Sequence, residues 1–132
     1  MRRILTIALG SLLTTSAAGA ETQTAFDFYR AYLAQTAQAV SLDEILPLLP
    51  DWWAARYAGA DEATREAALE RVRGTSRMLE DVKLEKEERT AQGTVLDLTA
   101  RDTNGLPLRG KVIVVEEGGT LRVEESTWGS AQ

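Results

Sequence analysis

Neither histidine nor cysteine occurs among the 132 residues of this chain, and that absence narrows the chemistry it can attempt. Histidine is the side chain whose unperturbed pKa best suits proton transfer near neutrality, and it is the commonest metal ligand. Without imidazoles and thiolates, carboxylates are left to serve as acids, bases or ligands. No run of Asp and Glu carries the spacing of a calcium loop, so neither a metal nor a cofactor is expected. A carboxylate can still act as a base where burial raises its pKa toward neutrality. Two are candidates for catalysis. Asp27 lies beside a stripe of aromatic residues, and Glu125 shares the alternation of Leu121 and Val123. Lys86 likewise shares the alternation of Val82 and Leu84. If those alternations hold, Glu125 and Lys86 point to the apolar side of their strands. The competing reading leaves both at strand ends, in water or paired with each other.

Tyr29, Tyr32, Trp52, Trp53 and Tyr57 form the densest aromatic group in the chain. Such residues can line an apolar ligand pocket while offering polar tips, which suits a flat or lipid-like molecule. They are also what a small core without disulfides would use to lock a first helix against a sheet. Adjacent Trp52 and Trp53 cannot both face inward from one helical turn. At least one is expected near the surface, where a large aromatic marks a contact site.

These residues are positioned by two halves of different period. Residues 24–40 are expected to be a helix, with Phe26, Tyr29, Leu33, Thr36 and Val40 recurring at spacings of three and four. Ser41 opens a second, short helix, with Glu44 completing a capping box and Pro47 and Pro50 limiting its run. Residues 51–57 make a short aromatic turn. A long helix starts at Asp61 as N-cap and runs through Leu69 and Val72 to Leu79, with Asp61–Arg65 and Glu70–Arg73 able to pair on its wet face. From Asp81 onward the period is two. Four short apolar alternations are separated by Gln92-Gly93, Asn104-Gly105 and Gly118-Gly119, the middle one being the strongest hairpin signal in the chain. Thr127 continues the apolar side of the last strand, and Trp128 lies opposite it. The expected fold is α+β: three N-terminal helices covering one face of a curved four-stranded antiparallel meander.

The other face of that sheet should be polar. Lys83, Glu85, Glu87 and Arg89 fit, and also guard an edge strand. Val95, Ile113 and Val115 do not fit. With Asp97, Arg109, Lys111 and Glu124 around them they have the layout of a small interface, and a second copy of the chain is the expected cover. Isolated surface valines without any partner are the plainer alternative.

Residues 1–20 carry the three parts of a secretory signal peptide: Arg2 and Arg3, an apolar run over 4–13, and the small residues Ala18-Gly19-Ala20. The run is shorter than the about 20 apolar residues needed to cross a bilayer. The expected product is a single domain over 21–132, periplasmic or secreted, with no membrane attachment after cleavage. The chain has 15 Lys and Arg against 20 Asp and Glu, net −5, and loss of Arg2 and Arg3 makes the remainder more acidic. Nucleic acid, which requires a basic patch or stripe, is not an expected partner.

Helices followed by this hairpin series resemble the NTF2-like (cystatin-like, cone-shaped) superfamily, and in particular its small exported bacterial members. The likeness is carried by Ala25-Phe26-Asp27-Phe28-Tyr29-Arg30-Ala31-Tyr32 and by the strands from Val82-Lys83-Leu84-Glu85 to Gly119-Thr120-Leu121-Arg122-Val123, ending at Ser126-Thr127-Trp128. It covers residues 24–129. Enzymes of that superfamily place an Asp, a Tyr and often a His in the cone, and the last is missing here. The superfamily hosts isomerases, dehydratases, carriers and catalytically silent modules on one scaffold, and the leading expectation here is a binding or assembly module without catalysis, taking a small apolar ligand or an envelope partner. A small hydro-lyase or isomerase with a buried carboxylate base is the alternative, and the fold does not decide between them.

Overall fold

In the computed structural model, which describes residues 23–131, the first helix, α1 (Ala25–Ala37), begins where Thr24 caps it. The expected leader and its cleavage point after Ala20 lie outside the described residues. The Thr24 hydroxyl accepts from the Asp27 N–H at 3.0 Å, satisfying a donor that the first turn would leave unpaired. Tyr29, Tyr32 and Thr36 form the buried stripe. The helix ends at Ala37 rather than at 40. Its C-terminal carbonyls are held from α3 (Glu62–Met78), where Arg77 Nε donates to Ala37 O at 2.8 Å and Arg73 Nη1 to Ala39 O at 2.9 Å. Val40, expected on the stripe, is thereby off it and 78% exposed.

Glu44 plays its capping part, accepting from the N–H groups of Val40 and Ser41 at 3.0 and 3.1 Å. The short helix expected here takes the form of two 3₁₀ turns, Leu42–Glu44 and Leu46–Leu48. Pro47 sits inside the second, where it has no N–H to give and would clash with an α-helical turn before it. Helix α2 (Asp51–Tyr57) comes directly after. Asp61 caps α3, accepting from the Thr64 N–H at 2.8 Å, and this bond holds its carboxyl below the usual range. Arg65 does not pair with Asp61 as the spacing suggests. Its guanidinium reaches Asp43 at 2.5 Å and the Tyr57 carbonyl at 2.7 Å, so α3 is tied to the first 3₁₀ turn and to the end of α2. Glu70 and Arg73 do pair. Between α1 and α3 the buried hydroxyls of Thr36 and Ser76 meet at 2.6 Å.

Strands β1 (Glu80–Thr90), β2 (Gly93–Arg101), β3 (Pro107–Glu117) and β4 (Thr120–Ser130) form an antiparallel meander in that order. The protein is therefore α+β, with its helices preceding its sheet. Asp102 builds the middle turn by accepting from the N–H groups of Asn104 and Leu106 at 2.8 and 2.9 Å. Gly118 and Gly119 both take positive φ, 59° and 84°, as a two-residue turn matching strand twist requires. One face of the sheet buries Leu96, Leu98, Val112, Val114 and Val123 against Tyr29, Ile45 and Leu69. Each such side chain contributes about 1.5–3 kcal/mol when fully buried.

The ladders carry three register shifts, one of them at the start of β1 between Glu80 and Lys83, and the other two change which of the expected residues face that core. In β4, Ile113 pairs with Glu125 but Val114 with Val123, so Glu124 is an extra residue and the alternation reverses beyond it. Ser126, opposite Val112, and Trp128, opposite Gly110, take the core side, while Thr127 is exposed. The expectation that Glu125 shares the face of Leu121 and Val123, with Trp128 opposite, is corrected by this single insertion. In β1 the ladder slips between Leu84, which pairs with Leu98, and Lys86, which pairs with Asp97. Lys86 is thus on the outer face and exposed rather than facing the core. Gly110 makes room for the reversed strand, since a Cβ there would lie 2.5 Å from the Trp128 indole.

Candidate functional site

A cleft of about 230 Å³ opens between α1, the 3₁₀ turns, α2, α3 and β4. Leu33, Leu42, Leu46, Leu49, Val72 and Val123 form its apolar walls. Four of the five aromatic residues singled out by sequence line it as well: Tyr29, Tyr32, Trp53 and Tyr57. Trp52 does not. It is 48% exposed and stacks on the outside of Trp53, with centroids 4.6 Å apart, while Trp53 stacks on Tyr57 at 5.8 Å. The two adjacent tryptophans divide between cleft and surface as helical geometry requires.

The aromatic residues differ in what their polar tips do. Tyr29 is fully buried, and its hydroxyl shares a 2.9 Å bond with Ser126 Oγ and accepts from Trp128 Nε1 at 3.0 Å. It ties α1 to β4. The hydroxyls of Tyr32 and Tyr57 have no hydrogen-bond partner among the described residues. Burial raises the Tyr32 phenol, with the neighbouring Tyr29 adding to the effect, and burial also raises Tyr29 against the opposing pull of its two hydrogen bonds. Both phenols are therefore neutral near pH 7, able to donate. The Trp53 indole N–H is sealed from solvent and unpartnered among the described residues.

Helix α2 is held at the cleft by contacts that nothing in the sequence spacing marks. Asp51 N–H donates to Glu117 at 2.9 Å, and Arg122 Nη1 donates to the Leu49 carbonyl at 2.9 Å and to Asp51 at 3.3 Å. The end of the β3–β4 hairpin thus sets where Trp53 and Tyr57 lie. Ser126 could be found in sequence only by knowing where the bulge falls.

The charged candidates sit elsewhere. Asp27 is on the exposed side of α1 and does not line the cleft. Glu125 lies at the rim with Glu124 and Arg71, all three exposed. Among the described residues the only buried polar or charged side chains are Thr36 and Ser76, so no carboxylate is buried. The cleft offers apolar surface and hydrogen-bond donors, with acidic groups confined to its mouth. That arrangement can hold a molecule; a base would have to act from the rim, in water.

On the outer face of the sheet, Val95 pairs with Ile113, and Val115 stands two residues further along on the same side. The three are brought together as expected. Ile113 is only 9% exposed within the single chain, however, and Val95 and Val115 are half-buried. The patch they leave is small. Among the described residues no helix is long and apolar enough to cross a membrane. Comparison of the chain with protein-family models, with curated proteins and with solved structures found no match in any of the three.

Proposed function

We propose that this chain is an exported binding module of NTF2-like fold that works without catalysis, its cleft taking a small apolar ligand. The cleft carries the reading. It is walled by leucines, valines and aromatic rings, and it retains polar tips that no described residue partners, where a packed core would have satisfied them. Helices preceding a four-stranded antiparallel meander support the superfamily, and the apolar stretch over 4–13 supports export. By proportion to the cavity of roughly 150 Å³ that holds benzene, the cleft takes about nine non-hydrogen atoms. The hydro-lyase or isomerase alternative needs a buried carboxylate, and both Asp27 and Glu125 are exposed.

Native mass spectrometry of protein purified from the periplasm of its source tests the reading. A non-covalent mass of that size, released on unfolding and lost when Leu46→Trp narrows the cleft, is the expected result. A clean apo mass in wild-type protein isolated under the gentlest conditions counts against it. Asp27→Asn and Glu125→Gln should retain the bound mass and the biological activity. A loss of activity of about 10²-fold or more from either, with the ligand still bound, would replace the module by an enzyme.

A further inference from the structure

Three aromatic side chains around the cleft, Tyr32, Trp53 and Tyr57, end in hydrogen-bond donors for which the described residues supply no acceptor. Among those residues just two side-chain polar atoms are at once sealed and unpartnered, Trp53 Nε1 and Arg73 Nε. The Tyr32 and Tyr57 hydroxyls, without a partner among the described residues, are not among those sealed atoms, although each residue is only 6% exposed. What these residues line is the cleft. Tyr29 provides the contrast within the same walls, because its hydroxyl is already engaged by Ser126 and Trp128.

An acceptor in the ligand is what all three tips can use. An indole N–H can only donate, and a phenol hydroxyl, able to donate or accept, donates readily to an oxygen held before it. The acidic residues at the cleft, Glu124 and Glu125, stand at its rim, and Arg71 is its one lining cation. A carboxylate ligand would pass those acids and be desolvated among leucines, at a cost that neutral donors offset poorly. A ligand bearing only donors would leave the indole N–H without an acceptor. We infer that the ligand is a neutral, flat or alicyclic carbonyl compound whose oxygen accepts from Tyr32 and Tyr57, with its apolar body against Leu46, Val72 and Val123. The Trp53 N–H, sealed in the free protein, gains this acceptor only with a shift of its ring at the same wall. This inference rests on the ligand-binding reading above and specifies the class of ligand.

The test compares three probes of nearly equal size: acetophenone; α-methylstyrene, in which a methylene replaces the carbonyl oxygen; and benzoate. Binding is followed in ¹H–¹⁵N spectra, since a ligand of about nine atoms is expected to bind with a Kd on the order of 0.1–1 mM. Acetophenone should bind more tightly than α-methylstyrene by about two- to tenfold, the range of one net hydrogen bond, and benzoate should bind most weakly. Tyr32→Phe or Tyr57→Phe should abolish the preference for acetophenone without changing the melting temperature, because neither hydroxyl holds a partner among the described residues. Equal affinity of wild type for acetophenone and α-methylstyrene overturns the carbonyl inference and leaves the apolar-ligand reading standing. So does a preference that survives in the double variant. Benzoate as the tightest probe overturns the requirement for a neutral ligand. Binding of none of the three overturns both inferences. Should a variant fail to fold, the wild-type comparison of the isosteric pair still decides.

Discussion

Tyr29→Phe removes one oxygen and should cost far more than its size suggests. That oxygen shares a 2.9 Å bond with Ser126 and accepts a 3.0 Å bond from Trp128, both on the strand whose alternation the bulge reverses. Each bond contributes about 0.5–1.5 kcal/mol net, and the Trp128 N–H left behind in a part-buried position adds to the loss. The total is about 2 kcal/mol, or a melting point lower by about 8 °C for a domain of this length. Urea unfolding should show the midpoint falling with an unchanged slope, since the surface exposed on unfolding is the same. Tyr32→Phe is the matched control. It removes the same atom from a neighbouring ring stacked 5.6 Å away, but no bond to any described residue, and should stay within about 0.5 kcal/mol of wild type. A Tyr29→Phe midpoint indistinguishable from wild type, or a Tyr32→Phe loss as large, would refute the division of these two tyrosines into a structural and a cleft-facing one.

Gly110→Ala places a Cβ 2.5 Å from the Trp128 indole, so it should displace that ring and cost about 1–3 kcal/mol, read as a lower melting point and a shifted tryptophan emission. Stability should fall at high pH. Unfolded phenols ionise near 10.0, whereas Tyr29 and Tyr32 in the folded chain ionise higher, so the contribution is present in full below about pH 10 and is lost as pH rises beyond it. Urea midpoints from about pH 8 to about pH 11 should be flat and then decline; a rise would contradict the burial of these rings. Ile113→Lys should lower the melting point of dilute protein by several degrees, because the residue is buried within one chain; an unchanged melt would make it a free surface residue. Sedimentation of wild type at tens of micromolar tests the homodimer separately, and a monomer there removes it.

The class and order of the fold are legible in the sequence because they rest on period. The shift from helical spacing to alternation at residue 81, the turn at Asn104-Gly105 and the caps at Asp61 and Glu44 are local signals, and each reappears at its place. Alternation fails where a strand carries an extra residue, and nothing local announces that Glu124 or Glu85 is the extra one. Simple alternation therefore puts everything beyond each bulge on the wrong face: Glu125, Thr127 and Trp128 in β4, and Lys86, Glu87 and Arg89 in β1, the last two registering with the core-side positions Leu96 and Thr94 rather than on the outer face. The aromatic group is legible as a group, and four of its members do share the cleft. Which of them are satisfied is not, because the partners of Tyr29 lie 97 and 99 residues away in the chain. Helix ends set by distant arginines, as at Ala37 and Ala39, escape a sequence reading for the same reason.

The central claim is that the cleft, and not the outer face of the sheet, is where this protein meets another molecule. Titration of methyl-labelled protein with acetophenone, followed in ¹H–¹³C spectra, tests it most directly. Saturable shifts should be confined to the methyls of Leu33, Leu46, Leu49, Val72 and Val123, which line the cleft, with Val95, Ile113 and Val115 unmoved. Shifts centred on those three outer-face residues, or no saturable shift anywhere, would contradict it.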